Sequence, residues 1–249
     1  MKKEMYCNNI KVIICDTYDE LSETAAEIVA NEMKKKPEFV LGLATGSSPV
    51  GLYNKLSEKN KKGEINFEKV RSFNLDEYYP IAKSNNQSYD YFMKEQLFNH
   101  VNIDKKNTYV PNGMAEDIAK ECADYDKFIE SIGGIDLQLL GIGRNGHIAF
   151  NEPADAFTGE SFKIALTQST IDANSIYFDD IPMPRYAMTM GIGSIMKAKK
   201  IVLIATGSSK AEAVKGMIKG EVTPQLPASV LQNHEAVVIF LDEAAAALL

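Results

Sequence analysis

Six short runs of apolar residues punctuate the chain, and the segments between them carry helical patterning. Lys11–Cys15, Phe39–Ala44, Ile201–Ala205 and Ala236–Leu241 are nearly continuous in apolar residues, while Val70–Leu75 and Ile135–Leu140 interleave polar ones. Runs of this length and branching read as strands buried on both faces. After the first run, Asp16 and Thr17 supply capping side chains for a helix reaching about Lys36. Its apolar positions Leu21, Ala25, Ile28, Val29 and Met33 recur near a 3.6 period, and Pro37 stops it. Pro49 suits the first turn of a second helix, and Ala115–Ile132 is an amphipathic third. Strands alternating with helices predict an α/β fold: a Rossmann-like open, mostly parallel sheet with helices on both faces, one domain over residues 1–249. Ligands of such sheets bind outside the strand C-termini. The polar stretch Tyr78–Ser88 and the segment Pro153–Asp180 are expected to be loops or lids over that edge, and Ala244–Leu249 a helical tail.

One internal echo marks that edge. Leu41–Pro49 and Leu203–Lys210 both read strand, then Ala-Thr-Gly-Ser-Ser, then helix. Thr45, Gly46, Ser47 and Ser48 present hydroxyls and flexible backbone N–H groups at a helix N-terminus, where the dipole favours an anion; the second loop adds the cation Lys210, and a pair of ordinary tight turns is the alternative. Neither loop has the spacing of a nucleotide-binding P-loop or a dinucleotide fingerprint. A third loop, Gly141-Ile-Gly-Arg-Asn-Gly-His147, follows a strand and ends in one of only three histidines. An imidazole there suits acid–base work near neutral pH, and Glu152 lies close enough in sequence to pair with it. Asp76, at the end of a buried strand, is a candidate carboxylate base; a helix-capping aspartate is the alternative.

Composition narrows the classes. The 249 residues are 45% apolar and 24% charged, which excludes disordered and fibrous chains. A formal charge of −7 and the lack of a dense basic run argue against nucleic acid, and no run reaches the ~18 apolar residues of a membrane helix. Three cysteines without paired spacing fit a reducing compartment, and the first residues lack a signal-peptide pattern, so a cytoplasmic location is expected. The residues thus describe an acid–base enzyme, without metal, acting on a small phosphorylated substrate.

At these motifs the chain resembles the glucosamine-6-phosphate deaminase family, within the larger group that also holds 6-phosphogluconolactonases. The resemblance rests on Ala44-Thr-Gly-Ser-Ser-Pro49, Phe73-Asn-Leu-Asp-Glu-Tyr78, Gly141–Pro153 with its Gly-His-Ile-Ala-Phe-Asn-Glu-Pro ending, Met190-Gly-Ile-Gly193, Gly207–Lys210 and Pro227–Gln232. Lactonases share the Gly-x-Gly-x-x-Gly-His core but not the continuation after the histidine. The resemblance implies a cofactor-free deamination of glucosamine 6-phosphate to fructose 6-phosphate and ammonia. His147 would open the sugar ring, in a relay with Asn145 and Glu152, and Asp76 would move a proton from C2 to C1. Thr45, Gly46, Ser47, Ser48 and Lys210 would hold the phosphate. No nucleic-acid or membrane partner is implied, and related enzymes occur as monomers and larger assemblies, which leaves the oligomeric state open.

Three positions depart from the family pattern. Asn145 stands where many members carry Asp, so the imidazole loses a charged neighbour. Ile176 stands where the similar Ala-Asn-Ser-Arg segment places a phosphate-clamping arginine, with Lys163 and Arg185 as possible replacements. Phe162 and Ile164 fall where allosterically activated members carry basic residues, so no activation by N-acetylglucosamine 6-phosphate is expected. Ile176 also keeps open a relative acting on another phosphosugar, such as galactosamine 6-phosphate. A lactonase is disfavoured by the residues after His147. A sugar-phosphate sensor without turnover would need an output module that the chain does not show.

Overall fold

A computed structural model describes residues 3–7, 9–179 and 181–249. Met1 and Lys2 of the N-terminal stretch, and Asp180 at the end of the expected lid segment, lie outside the described residues. Strands β1 (Lys3–Cys7), β2 (Ile10–Cys15), β3 (Val40–Leu43), β4 (Arg71–Asn74), β5 (Asp76–Tyr79), β6 (Thr108–Tyr109), β7 (Leu137–Leu140), β8 (Phe162–Ala165), β9 (Tyr186–Thr189), β10 (Ile201–Ala205) and β11 (Val237–Asp242) form two sheets. The principal helices are α1 (Tyr18–Met33), α2 (Val50–Lys61), α3 (Tyr89–Met93), α4 (Ile118–Ser131), α5 (Gln168–Asn174), α6 (Ile192–Met196) and α7 (Ala211–Lys219).

The main sheet runs β1-β2-β11-β10-β7-β3-β4-β6, parallel throughout except for β1, which pairs antiparallel with β2 at the edge. This is the expected α/β fold. Successive side chains alternate between two apolar layers, which is why the strands read as continuous apolar runs. Leu41, Leu139 and Val202 pack under α1, α2 and the helix that continues α3, whereas Val40, Leu140 and Leu203 pack under α4, α6 and α7. Thr17 caps α1 by accepting the Glu20 N–H, and Asp117 caps α4 at Lys120, so α4 starts three residues after the expected Ala115.

From β3 the chain moves outward through β4 to β6, then returns to the other side of β3 with β7, β10 and β11. The order therefore reverses between β3 and β7, and crevices at such a reversal are where open α/β sheets bind ligands.

Two expectations are corrected. The residues after Asp242 form successive turns, not a helical tail, with Ala245 fully buried and its N–H bound to the Asp242 carboxylate. The expected loops over the strand ends carry regular structure: β8 and α5 fall within Pro153–Asp180, and β8 joins β9 and β5, which runs into Tyr78–Ser88, in a second, antiparallel sheet β5-β9-β8. The three cysteines are free. Among the described residues no helix is long and apolar enough to cross a membrane.

Candidate active site

Four segments line up along the C-terminal edge, in the order set by β4, β3, β7 and β10: Asp76, Thr45–Ser48, Gly141–His147 and Thr206–Lys210. The Thr45–Ser48 loop is held from behind. Tyr53 Oη donates to the Ala44 carbonyl at 2.6 Å, and Tyr18 Oη donates to the carbonyls of Ser47 and Ser48 at 3.1 and 2.9 Å. With its carbonyls tied backward and Gly46 at φ +91°, the loop leaves the N–H groups of Gly46, Ser47 and Ser48 without a partner among the described residues. The second loop is anchored by the Asp242 carboxylate, which accepts the Gly207 N–H. Its Lys210 side chain is half-buried and has no carboxylate partner among the described residues. Burial, and then the charge of Arg144, lowers the Lys210 pKa.

The loop after β7 is a tight turn. Gly146 N–H reaches the Gly143 carbonyl at 3.1 Å and Gly143 N–H reaches the His147 carbonyl at 2.8 Å, which leaves Arg144 and Asn145 at the exposed tip. The His147 ring folds back over Gly143 so closely that a Cβ there would sit 2.4 Å from the imidazole. Glu152 Oε1 lies 3.1 Å from His147 Nδ1, a close contact that does not have the geometry of a straight hydrogen bond. Asn145 uses both ends of its amide: Nδ2 donates to Glu152 Oε2 at 2.5 Å, and Oδ1 accepts the His147 backbone N–H at 3.2 Å. It therefore orients the imidazole through the backbone and through Glu152, not by touching the ring. Burial opposes ionisation of Glu152, yet the neighbouring imidazole and amide outweigh it and hold the carboxyl below its usual range.

Asp76 sits where the chain leaves the main sheet. Leu75 still bonds to β3 through Leu43, and Asp76 then opens β5 opposite Thr189 of β9. The side chain is 6% exposed, and its carboxylate accepts no hydrogen bond among the described residues. Burial, and then the like charge of Glu77, pushes it up to about 8. β9 ties this carboxylate to the histidine loop: the Phe150 N–H donates to Thr189 Oγ1 at 3.1 Å, and Asn151 Nδ2 donates to the Met190 carbonyl. The Ala-Phe-Asn-Glu string is thus tied to the strand that pairs with Asp76. From the other side, Ala228 N–H holds the Gly146 carbonyl and Leu226 packs against Gly146.

Of the suggested replacements for the family arginine, one is exposed and the other is engaged with an aromatic ring. Ile176 is 71% exposed, Arg185 is exposed, and the Lys163 ammonium lies over the Tyr186 ring at 4.1 Å. The cation missed from sequence is Arg144. It stood inside the quoted motif, but only the β7–β10 neighbourhood puts its turn beside Lys210.

The family described as glucosamine-6-phosphate isomerases/6-phosphogluconolactonase matches residues 16–240. A glucosamine-6-phosphate deaminase of Clostridioides difficile (strain 630) is 52% identical over 240 residues, covering 95% of this chain and 96% of the relative. One from Thermoanaerobacter sp. (strain X514) is 53% identical over 241 residues, covering 96% and 95%. A solved monomeric glucosamine-6-phosphate deaminase superposes with a TM-score of 0.91 at 41% identity, covering 96% of this chain and 99% of that one. The 6-phosphogluconolactonase of Thermotoga maritima shares the fold, with a TM-score of 0.73 at 20% identity over 94% and 98% of the two chains. With a match this long, and relatives this similar over nearly the whole chain, the chain belongs to the glucosamine-6-phosphate isomerase/6-phosphogluconolactonase family.

Proposed function

We propose that the protein is a glucosamine-6-phosphate deaminase, converting glucosamine 6-phosphate and water to fructose 6-phosphate and ammonia. One observation carries the reading: a histidine–carboxylate pair and an isolated buried carboxylate are joined through β9 and flanked by two hydroxyl-rich loops. Such an arrangement suits a phosphorylated aldose that must be opened and then isomerised.

The phosphate lies against the Thr45–Ser48 N–H groups and hydroxyls and against Lys210, which anchors the sugar remote from its reacting carbons. His147 takes the proton of the ring hydroxyl at C1 and delivers one to the ring oxygen, with Glu152 stabilising the imidazolium in between. Asp76 then takes the C2 proton and returns it at C1, through a cis-enediolamine. The resulting imine at C2 adds water and releases ammonia. Asn145 keeps Glu152 and the His147 backbone in register throughout. The chemistry draws on these side chains alone, and the enzyme is read as cytoplasmic.

Arg144 supplies the second phosphate cation in place of the arginine that Ile176 displaces. Arg144→Gln is therefore expected to raise KM for glucosamine 6-phosphate about tenfold or more, the range for a hydrogen bond to a charged group, with kcat retained within about twofold. An unchanged KM would remove Arg144 from the site. Ammonia release coupled to fructose 6-phosphate formation, with purified protein and no added metal, tests the activity itself. Galactosamine 6-phosphate serves as the comparison substrate, and failure with glucosamine 6-phosphate by a folded protein would overturn the reading.

A further inference from the structure

Glu77, next to Asp76 on β5, is only 1% exposed; it lies inside the Phe73–Tyr78 motif, but the mechanism above gives it no role. Its carboxylate is fully engaged with backbone. Oε1 accepts the N–H groups of Tyr78 and Tyr89, both at 2.9 Å, and Oε2 accepts the Asp90 N–H at 3.0 Å. Tyr89 and Asp90 open α3, and their N–H groups are ones a helix start leaves unpaired. Ser88 Oγ serves only the third, from Tyr91. The segment that Glu77 fixes carries Tyr89, whose ring packs 4.8 Å from that of Tyr78. Phe150, from the histidine loop, and Phe178, beyond α5, pack on the same Tyr78 ring at 6.0 and 5.6 Å.

We propose that Glu77 is a positioning residue for the proton-transfer carboxylate: it locks the start of α3 onto β5, holds the Tyr78–Tyr89 wall beside Asp76, and sets a second ionisable carboxylate next to that group. The inference rests on the reading of Asp76 as the base. A cap alone needs no buried carboxylate, because a neutral side chain with the same oxygen serves most of these donors; a charge beside Asp76 does something more. It makes the neighbouring carboxylate a stronger base. The groups facing Asp76 are Glu77 and Tyr78 from β5, Tyr89 from α3 and Tyr125 from α4, while β9 presents the neutral Thr189. Glu77 itself faces Asp90, which is paired with Lys94. Burial raises Glu77 to about 7 against its backbone hydrogen bonds, so the two carboxyls hold protons in the same range as neighbours.

Glu77→Gln keeps an oxygen for Tyr78 and Tyr89 and removes the charge. The acid limb of the kcat/KM profile is expected to move to lower pH by roughly one unit, and kcat on the plateau to fall. Carbon-13 NMR titration of the Asp76 carboxyl, assigned by its loss in Asp76→Asn, is expected to show the same downward move in the unliganded protein. Glu77→Asp keeps the charge and shortens the reach, so its limb should stay near the wild-type position while kcat falls. An unmoved limb and an unmoved Asp76 titration in folded Glu77→Gln would overturn the proposal and leave Glu77 a simple helix tether. Should Glu77→Gln fail to fold, Glu77→Asp decides: wild-type kcat overturns the proposal, and lowered kcat at an unmoved limb supports it. If the wild-type protein turns over no phosphosugar, the deaminase reading falls separately, and the NMR titration still settles the coupling of Glu77 to Asp76.

Discussion

Asp76→Asn is expected to lower kcat for ammonia release by ~10²–10⁴-fold, the range supplied by a positioned proton-transfer group. The substitution keeps the shape of the side chain and removes its ability to take a proton. Nothing else in the fold depends on that carboxylate, because it accepts no hydrogen bond among the described residues. Solvent deuterium should accordingly stop entering C1 of fructose 6-phosphate during turnover in D2O. The wild-type pH profile follows from the same environment. A base raised to about 8 is mostly protonated at neutral pH, so kcat/KM should climb as pH rises towards 8. The stability consequence has the opposite sign. Because the folded-state pKa lies above the unfolded value of about 3.9, the ionised carboxylate destabilises the fold, and the penalty grows as pH rises from the unfolded value through the folded one. Asp76→Asn should therefore melt higher than wild type near pH 8 while being nearly inactive, and the two should converge in acid. A variant that loses stability along with activity would instead mark Asp76 as structural.

The sheet was legible because its strands are buried on both faces: Ile201–Ala205 and Val237–Leu241 have no polar side to hide. The smaller sheet was not legible. Phe162–Ala165 alternates half-buried and exposed positions over only four residues, and β5 follows β4 with a single residue between, so nothing after the Val70–Leu75 run marks a second strand beginning at Asp76. Its pairing with β9 is a contact across more than a hundred residues that no local period announces. Residue types told the same story at the site. His147, Glu152 and Asp76 stood out as chemistry-bearing groups at strand ends. Their connection through Thr189, the burial that raises Asp76, and the Arg144–Lys210 neighbourhood all depend on strand order. Asn145 shows the difference in one residue. Sequence suggests an amide oriented on the imidazole, and the structure sends that amide to Glu152 and the backbone instead.

Gly143→Ala is expected to cost about 10²-fold in kcat with little change in melting temperature, a separation that few glycine substitutions offer. Gly143 does not have a positive φ, so alanine fits its backbone; the obstacle is the His147 ring, which a Cβ would meet at 2.4–2.5 Å. That ring is one-third exposed and can swing outward, so the clash is relieved at the expense of its position over the loop and its 3.1 Å contact with Glu152. Gly42→Ala makes the contrast. There the new Cβ would lie 2.0 Å from Gln138 Oε1 in a fully buried layer, with no room to yield, so stability and activity should fall together. Activity lost through His147 alone has a further signature. In the double variant Gly143→Ala/His147→Ala, the alanine at 143 should add almost nothing to the loss already caused at 147, because both substitutions remove the same imidazole from the same place. Additive losses would show that Gly143 acts on catalysis by another route, through the turn that carries Arg144 and Asn145.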